Sequence, residues 1–108
     1  KKGGNVLDVI KRLKADYVRG EYLLRSGRNG TGFLILTNKR LFITDLRDRT
    51  EKELMIKNII GSEIARTGLF KIPKIVVLES ADGIRKHEIE VGDAPAWQKA
   101  IEDAVRAV

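Results

Sequence analysis

Residues 30–46, GTGFLILTNKRLFITDL, restrict the folds open to this chain more than any other stretch. Two runs dense in β-branched, aromatic and leucine side chains, 32–37 and 40–44, flank the polar pair Asn38-Lys39, which is the pattern of a β-hairpin. Successive side chains of a strand alternate between faces, so Phe33, Ile35 and Thr37 share one face while Leu34 and Leu36 share the other. Both faces are largely apolar. A free-standing ribbon would leave one of them in water, so the hairpin requires a curved sheet or barrel around it and something packed outside.

The rest of the chain is long enough to supply that cover. A chain of 108 residues is one domain, able to bury roughly two-thirds of its unfolded surface. With 43% hydrophobic and 33% charged residues it has the composition of a globular protein, and no run approaches the ~18 apolar residues of a membrane span. The absence of cysteine excludes disulfides and thiolate metal sites and fits a reducing compartment. The opening Lys1-Lys2-Gly3-Gly4, without methionine or an apolar segment, reads as a leader of residues 1–4 on an excerpt of a longer protein.

Charge is unevenly placed. Residues 1–49 hold twelve Lys/Arg against five Asp/Glu, whereas residues 50–108 hold nine against ten, so the net +6 belongs to the N-terminal half. Such a field attracts an anionic partner, whether phosphorylated headgroups, an acidic protein surface or nucleic acid. A solvated basic face that serves only solubility has the same composition.

In order, Asn5 is placed to cap a helix over 5–19 in which Val6, Ile10, Leu13 and Tyr17 recur at helical spacing, widened by Leu7 and Val9. Lys11, Arg12, Lys14 and Arg19 lie opposite. Such a helix can lie on an anionic membrane or dock its stripe on a sheet. Strands are expected at 21–25 and in the hairpin, then at 53–57 with Leu54 and Ile56 inward, and at 62–67 with Ile60 and Ile64 on one face. The last two are 75–79 and 84–91, joined by the turn Ala81-Asp82-Gly83. His87 shares a face with Ile89 and Val91 and reads as a packed or rim histidine, because no motif supplies a nucleophile and an orienting acid. Asp93 and Pro95 open a last helix, 93–108, whose stripe is Trp97, Ala100, Ile101, Ala104, Val105 and Val108.

The run Gly32-Phe33-Leu34-Ile35-Leu36-Thr37-Asn38-Lys39-Arg40-Leu41-Phe42 resembles the second and third strands of pleckstrin-homology-like (PH-like) domains. It is similar above all to the GRAM, bacterial PH-like and ESCRT GLUE branches, and the likeness extends over 21–108. It implies an α+β fold: a seven-stranded antiparallel bent sheet or partly open barrel over 21–91, capped by the C-terminal helix with Trp97 facing the core. The N-terminal helix is an addition to that plan. Thr37 and Arg40 can also be read simply as framing a tight turn.

The resemblance implies basic residues in the loop after the first strand that grip phosphate, at Arg25 and Arg28, with Lys39 or Arg40 beside them. It also points to the loop at 68–74, since a GLUE loop at that place, also followed by an Ile-Val-Val-like strand, contributes to lipid binding, and this singles out Lys71 and Lys74. There Leu69, Phe70 and Ile72 alternate with lysines, which suits a membrane interface, a protein-docking patch, or the closing of one mouth of the barrel. No metal-ligand spacing, nucleotide loop or catalytic motif occurs, so the expectation is a binding module that is not an enzyme and uses no cofactor and no metal. The expected partner is an anionic membrane lipid or a protein, with the chain in the cytoplasm at the membrane periphery. The alternatives are a purely protein-directed module, reading ubiquitin or a sister subunit as GLUE domains do, and nucleic-acid binding by the basic surface. The latter is disfavoured because few aromatics are free to stack.

Overall fold

The computed structural model describes residues 6–30, 32–45, 50–67 and 72–108. Among them the order is α1 (Val6–Lys14), β1 (Leu23–Arg28), β2 (Phe33–Thr37), β3 (Arg40–Asp45), β4 (Thr50–Met55), a 3-10 turn (Ile56–Asn58), β5 (Ile59–Thr67), β6 (Ile72–Ser80), β7 (Ile84–Glu90) and α2 (Ala94–Arg106). The seven strands make two sheets, β1-β2-β3-β4 and β5-β6-β7, in which every neighbouring pair is antiparallel. The architecture is α+β.

The doubly apolar hairpin is covered on both sides. Every residue of β2 is buried. Leu34 and Leu36, with Leu41 of β3, enter the main core, where they meet Leu54, Ile56, Ile75, Val77 and Ile89 and the α2 residues Trp97, Ile101 and Ala104. Phe33, Ile35 and Phe42 point the other way into a separate cluster closed by Val9 and Leu13 of α1, with Ile10 and Tyr17 packed at its edge. The helix therefore docks its stripe on the outside of the first sheet. Burying each such side chain is worth about 1.5–3 kcal/mol.

Several boundaries differ from the sequence reading, each for a physical reason. The first strand begins at Leu23 and runs through Ser26-Gly27-Arg28, where a turn was expected. Gly27 brings this strand close to α2: a Cβ there would stand 3.2 Å from the Trp97 ring, which would have to give by a few tenths of an ångström. α1 stops at Lys14 rather than 19, tightening through i→i+3 bonds from Asp16 to Leu13 and from Tyr17 to Lys14. Leu7 is exposed instead of widening the stripe, and Asn5 lies outside the described residues.

The fourth strand pairs with β3 only as far as Arg40↔Met55. Beyond that pair the ladder ends, and the chain winds into the 3-10 turn, with Leu54 and Ile56 still buried. A bulge between Ile59 and Gly61 changes the side-chain parity of β5, so Ile59 is buried and Ile60 exposed. The expected turn at Ala81-Asp82-Gly83 has left-handed backbone at Asp82 and Gly83 (φ 55° and 107°). In α2, Trp97 is buried as expected, whereas Val108, expected in the stripe, lies past the helix end at Arg106 and is exposed. Asp93 occupies the cap position without a side-chain cap bond. Its carboxylate pairs with Arg25 instead.

Candidate functional site

The Thr37-Asn38-Lys39-Arg40 turn is organised by Glu21, a residue that precedes β1. Thr37 Oγ1 accepts the backbone N–H groups of Lys39 (3.1 Å) and Arg40 (2.9 Å) and donates to Glu21 Oε2 (2.6 Å). The Arg40 guanidinium grips the same carboxylate in bidentate fashion, Nε to Oε2 at 2.9 Å and Nη2 to Oε1 at 2.6 Å. It also donates to the Asp16 carbonyl (3.0 Å) and Glu53 Oε2 (3.3 Å), and stacks 4.9 Å from the Phe42 ring centroid.

Burial alone would raise the Glu21 pKa. The hydrogen bonds from Arg40, Thr37 and the Val18 N–H outweigh it and hold the carboxyl below the usual glutamate range. The bond to Glu21, opposed by burial, pushes Arg40 above its ordinary value. With its side chain only 10% exposed, Arg40 is committed to this internal pair. Expected beside an anion site, Arg40 has its guanidinium held by a buried carboxylate, which leaves little of it to offer a phosphate.

The remaining sequence-derived candidates are dispersed. Arg25 pairs with Asp93 and lies 5.0 Å over the Trp97 ring, joining β1 to α2. Arg28 is exposed, with its guanidinium 5.5 Å over the Phe33 ring. Lys39 sits in the turn at the opposite end of β2, since Arg28 is opposite Phe33 whereas the chain reaches Lys39 only after Thr37. Leu69, Phe70 and Lys71 lie outside the described residues, as does the side chain of Ile72, which opens β6.

Lys74 lines a cleft of ≈ 520 Å³ between the ends of the two sheets. Ile43 and Ile89 contribute apolar walls, and the β1–β2 turn adds Asn29 and Gly30. Lys52 and Lys74 face this space together with Asp45, Glu88 and Glu90, so its charge is mixed. Lys74 Nζ lies 3.4 Å from Glu88 Oε1.

His87 is mostly buried, with Nε2 2.9 Å from Glu79 Oε1, so an acid does stand beside the histidine. The strand pattern did not single out Glu79, whose position on the inward face of β6 was the available signal. Among the described residues no group of three or more acidic or histidine side chains is disposed to hold a metal ion.

At the end of the molecule away from the cleft, the structure assembles a surface that the sequence reading did not combine. Residues 18–21 form a tight turn, Glu21 N–H to Val18 O at 3.0 Å, with Gly20 at φ 83°. Asn38 ties this turn to the β2–β3 turn. Its Oδ1 accepts the Tyr22 N–H (2.7 Å), its Nδ2 donates to Gly20 O (3.0 Å), and its own N–H donates to Tyr22 O (3.1 Å). The Ile56 N–H donates to Lys39 O (2.9 Å), which brings the 3-10 turn alongside.

Val18 and Tyr22 are 51% and 58% exposed on this end, and Leu23 and Leu24 are exposed next to them in the chain. Arg19, Lys39 and Lys57 are exposed too, and none has an ion-pair partner among the described residues. Asp16 is the nearby carboxylate left outside the Arg40 network. Tyr17 turns inward, its hydroxyl without a hydrogen-bond partner among the described residues, and burial first, then the Glu21 charge, raises its pKa.

Comparison with known proteins finds no matching family model, curated protein or solved structure. Among the described residues no helix is long and apolar enough to cross a membrane.

Proposed function

We propose that this chain is a PH-like, non-enzymatic binding module that docks peripherally on an anionic membrane surface through its basic N-terminal half. The fold part of this reading is supported by seven strands in chain-order succession, a first sheet of four and a second of three, and a C-terminal helix whose tryptophan fills the core. The binding part rests on one observation. Lys11, Lys14, Arg19 and Lys39 are exposed and free of ion pairs among the described residues, whereas Arg12, Arg25 and Arg40 of the same half are neutralised by Glu51, Asp93 and Glu21. Cations left unpaired near an anionic bilayer each add to attraction within a Debye length.

Vesicle co-sedimentation tests the proposal. The protein pellets with phosphatidylserine-containing vesicles, stays in solution with neutral ones, and is released at ~0.5 M salt, where Coulombic reach falls to a few ångströms. Equal binding to neutral vesicles, or binding indifferent to salt, rejects it.

A further inference from the structure

Two ends of the molecule compete to be the face that meets the membrane. Among the described residues the cleft end offers exposed Arg28, stacked on the Phe33 ring, and Lys52 and Lys74 among three carboxylates, with Glu88 already 3.4 Å from Lys74. The opposite end combines unpaired Arg19, Lys39 and Lys57 with exposed Val18, Tyr22 and Leu23. Resting on the proposed function, we infer that the second end is the membrane-contacting face. Tyr22, Val18 and Leu23 enter the interfacial region of an anionic bilayer there, while Arg19, Lys39 and Lys57 meet lipid phosphates.

Three features carry this choice. Apolar side chains exposed side by side and rimmed by cations are the kind of surface that marks an interaction site. A tyrosine presents an apolar ring with a polar tip, which suits the headgroup boundary. The cations around it complement an anionic surface, and a basic rim on an apolar tip favours lipid over an uncharged protein groove.

The tip is also rigidly supported. The three hydrogen bonds of Asn38 and the buried Glu21–Thr37–Arg40 network hold the backbone of the tip, so binding has only its side chains to order. Those bonds use the Tyr22 backbone and leave its ring free, which makes side-chain substitution there compatible with folding.

The test uses the whole chain and vesicles of phosphatidylcholine with and without phosphatidylserine. The expected results are a loss of at least about tenfold in anionic-vesicle affinity for R19E/K39E and of roughly tenfold for Tyr22→Ser. K52E/K74E, at the cleft end, stays within about twofold. Buried-type Trp97 emission in each variant confirms that the fold is intact. In Tyr22→Trp, the added emission shifts to the blue with anionic vesicles and is quenched by brominated lipid.

Loss of binding in K52E/K74E with R19E/K39E and Tyr22→Ser unaffected overturns the inference and leaves the proposed function standing. Loss in R19E/K39E with unshifted Tyr22→Trp emission overturns insertion. Failure of the unaltered protein to bind anionic vesicles overturns the inference and the proposed function together.

Discussion

Lys39 and Arg40 are adjacent in the chain and opposite in fate. Arg40 turns under the β2–β3 turn into a buried carboxylate, whereas Lys39 turns outward with no ion-pair partner among the described residues. The contrast separates two uses of positive charge that composition cannot tell apart. One ties the segment before β1 to the central hairpin, and the other remains available to a partner. A planar guanidinium suits the first task, since its fork reaches both oxygens of Glu21, the Asp16 carbonyl and Glu53 together. A solvated ammonium suits the second.

The sharpest way to break this contrast is Arg40→Ala. It leaves Glu21 buried against Thr37 with its cation gone, and removing one partner of a buried pair costs about 3–5 kcal/mol. At roughly 4–8 °C per kcal/mol for a domain of this size, the thermal midpoint falls by well over ten degrees. A melt followed by circular dichroism reads it. A shift of only a degree or two would mean that Arg40 is no more embedded than Lys39.

Next in size is Leu13→Ala, which tests whether α1 is a structural cover or a detachable amphipathic helix. Leu13 is 3% exposed against Phe33, Ile35 and Phe42, and truncating such a leucine costs about 2–5 kcal/mol. Denaturant unfolding should show a lower midpoint with an unchanged slope. An unaltered midpoint would show that the helix does not stay on the sheet in solution.

What could be read from the sequence divides along the same line. The hairpin's two apolar faces announced cover on both sides, and α1 and the main core provide it. Trp97 and the Asp82-Gly83 turn were equally visible, because helical periodicity and turn chemistry are local signals. Pairing between distant residues leaves no such mark. Nothing local says that Glu21 will meet Arg40 or that Gly27 will lie against an indole, and a single bulge in β5 sends Ile60 outward. Val18 and Tyr22 escaped notice for another reason: the prior for an apolar residue is burial, and only coordinates show the exceptions.

A smaller effect, with a pH signature, follows from Glu21→Gln. The Glu21 carboxyl is held below its ordinary value in the fold, so ionised Glu21 contributes stability that is complete above the unfolded-state pKa. That contribution is lost as pH falls through the lower folded-state pKa. The wild-type advantage over the variant, about 2 kcal/mol for charge-assisted hydrogen bonds of this kind, should therefore be constant near neutrality. It should shrink only below the ordinary carboxylate range. Urea melts of both proteins across pH 3–7 measure the difference. An advantage that is pH-independent down to the acid limit would show that the pair does not act through its charge.

The smallest expected change in stability belongs to Lys39→Ala, and it completes the comparison from the other side. Lys39 is exposed, and its backbone N–H and carbonyl, which bond Thr37 and Ile56, survive the substitution. Surface replacements of this type stay within about 0.5 kcal/mol, so the melting curve should nearly overlay that of the unaltered chain. Affinity for anionic vesicles should nevertheless fall about fivefold, the worth of one cation near such a surface, and the deficit should vanish as added salt shortens the Debye length. A variant that melts early while binding normally would invert the assignment, making Lys39 the structural cation of the turn.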